Sequence, residues 1–80
     1  MTGDYRPIAC ADHERLEFAV LRRRHLRLTW LSGEGGTLVC ERVLPLDVAT
    51  RSGAEWLTIR RATGETEVVR LDRIRAALDD

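Results

Sequence analysis

The stretch His25-Leu26-Arg27-Leu28-Thr29-Trp30-Leu31-Ser32-Gly33-Glu34-Gly35-Gly36-Thr37 changes the period of the chain and so decides its fold. Leu26, Leu28 and Trp30 alternate with Arg27, Thr29 and Leu31, the period of two that a strand with one buried face requires. Three glycines within residues 32–36 then make a turn, because glycine is costly inside a regular element. Thr37 to Val43 returns as the second strand of a hairpin. Its alternation puts Leu38 and Cys40 on one face and Val39 and Glu41 on the other, and the pattern alone does not fix which face is buried.

Upstream of this hairpin the period is helical. Leu16, Ala19 and Val20 fall at i, i+3 and i+4, one apolar stripe able to cover the open side of a sheet. Asp12 is the expected N-cap and Glu14 adds charge where the helix dipole favours it, which predicts a helix from about His13 to about Arg23. Arg22, Arg23 and Arg24 complement the dipole at the other end. Before the helix, Pro7 biases Arg6 toward extended backbone, so residues 1–11 read as a strap with Ile8 and Cys10 turned inward.

Downstream, Leu44-Pro45-Leu46-Asp47-Val48 must break or bend, since proline cannot donate to a central ladder. A third strand is expected from Glu55 to Arg61, with Trp56, Thr58 and Arg60 on one face and Leu57 and Ile59 on the other. Trp56 is expected to be covered by the helix or to shield a barrel end. A turn over Ala62–Glu65 leads to a fourth strand, Thr66 to Leu71, and a short fifth runs from Arg73 to Ala77, after which Asp79-Asp80 frays. One helix and about five strands with sharp bends predict a mainly β fold, a small antiparallel Sm-like or OB-like barrel in which closure removes exposed edges. The 80 residues form one domain, which buries only a little over about 60% of its unfolded surface.

A core that thin argues against a deep catalytic cleft, and no nucleophile elbow, phosphate loop or zinc-protease pattern occurs. The chain is read as a non-enzyme without a cofactor. Cys10, His13, His25 and Cys40 are the right ligand types for zinc, but only Cys10 and His13 are close in sequence, so no metal is expected. The two cysteines are expected to be reduced packing residues. No run reaches the roughly 20 apolar residues of a membrane helix, and the default location is cytoplasmic.

Formal charge balances at 13 against 13, and every basic residue is arginine. A neutral total disfavours a general nucleic-acid binder, whose affinity comes largely from phosphate neutralisation. One alternative stays open: Arg22–Arg24, Arg27, Arg60, Arg61, Arg70, Arg73 and Arg75 as a basic strip, with Trp30 or Trp56 stacking a base. That would make the chain an Sm-like RNA-binding module.

Two signatures frame the domain. The first is Tyr5-Arg6-Pro7-Ile8-Ala9-Cys10-Ala11-Asp12 with Leu16-Glu17-Phe18-Ala19 and Leu26-Arg27-Leu28-Thr29; the second is Gly64-Glu65-Thr66 with Arg70-Leu71-Asp72 and Ile74. Together they resemble the Rof family of small bacterial proteins that bind and inhibit the transcription termination factor Rho. Pro45 and the short strands argue for a monomer. The resemblance implies an N-terminal helix on an Sm-like barrel and a protein that acts by binding Rho, with no direct nucleic acid expected. It also implies that an acidic surface around the helix docks on the RNA-binding region of Rho's N-terminal domain, suppressing termination. Asp12, Glu14 and Glu17 are the carboxylates expected to occupy that cationic groove, with an exposed His13 at the rim. Competition of this kind is fast and salt-sensitive.

Overall fold

The computed structural model describes residues 10–79, with side chains from residue 12 onward. The expected entry strap, with Tyr5, Pro7 and Ile8, lies outside the described residues. Helix α1 spans Cys10–Arg22 and is followed by strands β1 (Leu26–Ser32), β2 (Thr37–Arg51), β3 (Ala54–Arg60) and β4 (Thr66–Arg70). A 3-10 turn at Leu71–Arg73 leads into β5 (Ile74–Asp79). All pairings are antiparallel and the strand order is β4-β3-β2-β1-β5. β4 and β5 are the two edges, and no ladder joins them among the described residues, so the sheet is open and the expected closed barrel is not formed by strand pairing.

The helix begins earlier than expected. Asp12 is therefore inside its first turn and not its N-cap, but the carboxylate still sits at the positive end of the dipole. At the other end Arg23 adopts a left-handed φ of 56°. Its N–H donates to the Val20 carbonyl at 3.3 Å, and Arg24 N–H donates to the Ala19 carbonyl at 2.9 Å. This pair of bonds is the Schellman closure, which glycine makes without the cost of a Cβ. Arg23→Gly is therefore expected to stabilise the protein by about 0.5–1 kcal/mol, read as a higher urea midpoint at unchanged slope.

β1 has the expected alternation, with Leu26, Leu28 and Trp30 all fully buried. In the return strand Val39 and Glu41 are the half-buried side and Leu38 and Cys40 the exposed side. Cys40 is thus a free, exposed thiol and not a packing residue. Pro45 bends the chain without ending it: β2 runs on to Arg51, and its register with β3 passes from Pro45–Ile59 to Asp47–Thr58, leaving Leu46 as a bulge. One long bent strand therefore serves both halves of the sheet. The next hairpin closes on Ser52 and Gly53, both at positive φ, the two-residue turn whose twist matches its strands. β5 extends to Asp79, which pairs opposite Leu26 instead of fraying.

The inner face carries the core: Leu16 and Ala19 of α1 pack with Leu26, Leu28, Trp30, Val43, Leu57, Ile59, Val69, Leu71 and Ala77. Two polar ties orient the helix on it. Arg15 Nη1 donates to the Ala77 carbonyl at 2.9 Å, and His13 Nε2 donates to Glu55 Oε2 at 2.7 Å. Glu55 shares the inner face with Leu57 and Ile59, so Trp56, one residue on, faces the other way. It is not covered by the helix. Among the described residues no helix is long and apolar enough to cross a membrane.

Candidate functional site

Anchoring Leu16 and Ala19 in the core fixes what α1 presents to solvent. At 100° per residue, Glu14, Glu17, Phe18 and Leu21 stand at i, i+3, i+4 and i+7 and share the face opposite the buried stripe. Both glutamates are exposed, Phe18 is 47% exposed and Leu21 77%. Arg22 places its guanidinium 4.6 Å from the Phe18 ring centroid, a cation–π contact that holds the ring at the surface. Beside this face an open cavity of about 550 Å³ runs to the end of β5, lined by Glu14, Glu17, Phe18, Leu21, Arg24 and Asp79 among others. The helix therefore offers carboxylates around an apolar ridge.

The four residues singled out from sequence do not all join this face. Glu14 and Glu17 do. Asp12 lies toward the sheet flank and is ion-paired with Arg15 at 3.3 Å, one oxygen committed to the arginine that ties the helix to β5. His13 is not an exposed rim residue: its side chain is 24% exposed and is held between Glu55 at 2.7 Å and Glu17 at 3.5 Å. It braces the helix against β3 and steadies Glu17. Phe18 and Leu21 lie outside the inward stripe that the helical period marks; their signal in the sequence is two large apolar residues 180–240° from Asp12 on the wheel, flanking the glutamates.

The basic strip that sequence leaves open as an alternative is divided in the fold. Trp30 is fully buried and cannot stack a base, Arg22 is over Phe18, and Arg61 is consumed by Glu41 and Glu67. Arg73 lines a cavity with Trp56, and Arg60 shares Trp56's side of β3.

Among the described residues, one amphipathic helix packed on an open five-stranded antiparallel sheet makes this a mainly β protein whose helix has an outer face both acidic and apolar. No protein-family model matches the chain. Two proteins called Protein rof, from Escherichia coli (strain K12) and Shigella flexneri, are each 36% identical to it over 74 residues, covering 92% of this chain and 81% of theirs. The chain belongs to the Rof family. A solved structure of Proteasome accessory factor B/C (PafBC) of Arthrobacter aurescens contains a similar fold, with a TM-score of 0.77 at 18% identity over 99% of this chain and 13% of that one.

Proposed function

We propose that this protein is a Rho-binding antiterminator that occupies the RNA-binding region of Rho's N-terminal domain with the outer face of α1. The observation that carries the reading is the exposed pairing of Glu14 and Glu17 on a helix fixed by its opposite face, in a member of the Rof family. Carboxylates entering a groove built for phosphates compete by charge, and Phe18 and Leu21 add apolar contact where bases would stack. Burial of such anchors at the centre of a charged rim is how small interfaces gain affinity. The protein acts in the cytoplasm as a monomer, on an Sm-like scaffold, and performs no chemical step.

The test is displacement. Purified Rho carrying labelled pyrimidine-rich single-stranded RNA, titrated with this protein at two salt concentrations, is expected to release the RNA, with weaker competition at higher salt. RNA that stays on Rho throughout the titration, or that leaves Rho only by transferring to this protein, overturns the reading.

A further inference from the structure

The face of the sheet turned away from α1 carries a second, unrelated arrangement. Trp56 is half-buried there, and its indole N–H donates to the Arg51 carbonyl at 3.3 Å, which fixes the ring orientation. Val68, 48% exposed, stands with it as the shared wall of two adjoining cavities. One, of about 380 Å³, also includes Arg70, Arg73 and Glu34; the other, of about 290 Å³, includes Arg51 and Ser52. The two form a continuous trough with an aromatic and aliphatic floor.

Its walls are cationic in a specific way. Arg73 donates from Nε to the Leu31 carbonyl at 3.1 Å and from Nη2 to the Gly33 carbonyl at 2.9 Å. Both partners are neutral, so the guanidinium is held in place with its charge unanswered by a carboxylate. Arg51 stands at the other end of the trough with no carboxylate paired to it among the described residues, and Arg60 lies on the same face of β3 as Trp56. Arg70, directly across from Trp56 in the ladder, is answered by Asp72 at 3.4 Å. Of the two lining acids, Glu67 is spent on Trp30, Ser32 and Arg61, leaving Glu34 on the exposed β1–β2 turn. The formal neutrality of the chain thus leaves room for a local cationic patch here, made by Arg73 and Arg51 beside the single remaining carboxylate of Glu34.

We propose that this trough binds single-stranded nucleic acid, one base stacking on Trp56 against Val68 and the flanking phosphates reaching Arg73 and Arg51. A fixed ring between cations of unspent charge matches a base between phosphates, and stacking tolerates any base because every base has a π face. The site is independent of the helix face and of the reading given to it.

Fluorescence anisotropy of labelled oligouridylate and oligothymidylate of about 12 nucleotides tests this on the full chain, with uridine monophosphate as competitor. Both oligomers are expected to bind at low salt. Trp56→Ala should weaken binding about tenfold and Trp56→Phe should retain most of it. Arg51 is exposed, so Arg51→Gln should leave the fold intact and flatten the salt dependence by about 0.7 in log–log slope, one phosphate contact. Failure of the oligomers to bind, binding of the mononucleotide alone, or equal affinity in folded Trp56→Ala and Arg51→Gln variants each overturns the proposal.

Discussion

Reversing charge at both helix glutamates, Glu14→Arg with Glu17→Arg, is expected to lower affinity for Rho by about a hundredfold or more while leaving the protein folded. Close interfacial charge pairs measured by double-mutant cycles are worth upward of about 1.5 kcal/mol each, so losing two costs about 3 kcal/mol, or roughly a factor of a hundred, before repulsion is added. The fold is insulated from the change. Glu14 is exposed, and when Glu17 is replaced His13 keeps its shorter bond to Glu55; surface substitutions of this kind usually stay within about 0.5 kcal/mol. Phe18→Ser separates the two parts of the surface. It should reduce RNA displacement about tenfold at every salt concentration, because an apolar anchor is not screened. A double variant that retains its circular dichroism spectrum and still releases RNA from Rho as the parent does removes Glu14 and Glu17 from the site.

The sheet was readable because its inner face is written in plain alternation: Leu26, Leu28 and Trp30, then Leu57 and Ile59, are apolar at every second position and are all fully buried. Where polar residues turn inward the pattern loses its meaning. Glu41 lies on the inner side of β2 and Leu38 on the outer side because Arg61 supplies a partner for the carboxylate that no local rule announces. Pro45 had two possible outcomes from sequence, and the bulge at Leu46 selected the bend over the break. For the helix, the periodicity located the buried stripe correctly, yet two of the four expected site residues turned toward the sheet. Asp12 and His13 are oriented by long-range partners, the Arg15–Ala77 tie and Glu55, which lie 42 or more positions away along the chain. Glu14 and Glu17 needed only the helix itself, and they are where the sequence placed them.

The largest effect on stability is expected from Arg61→Ala. Arg61 grips Glu41 with two bonds of 3.0 Å, reaches Glu67 at 3.4 Å and lies 5.4 Å over the ring of buried Trp30. Glu67 in turn accepts from Trp30 Nε1 at 3.1 Å and Ser32 Oγ at 2.8 Å, so one guanidinium ties β2, β4 and the core tryptophan together. Removing it leaves two carboxylates, 17% and 23% exposed, without the cation they share. Breaking a fully buried pair costs about 3–5 kcal/mol, and partial solvation here brings the expectation down to about 2 kcal/mol. For an 80-residue chain whose whole stability is of order 4–12 kcal/mol, that is a large fraction. The cost should shrink when Glu41 is also replaced by Gln, since the orphaned charge is then gone, and the coupling appears in the double-mutant cycle. The pair also sets an acid limit. Its hydrogen bond to Arg61 holds the Glu41 carboxyl below its ordinary 4.5 despite the opposing effect of burial. A depressed folded-state value means that this stabilisation is present above the unfolded value near 4.5 and is lost as pH falls through the folded one. Urea melts between neutral pH and about pH 3 should therefore show a steeper acid decline in the parent than in Glu41→Gln, and identical declines in the two would mean that Arg61 and Glu41 contribute nothing to the folded state's ionisation.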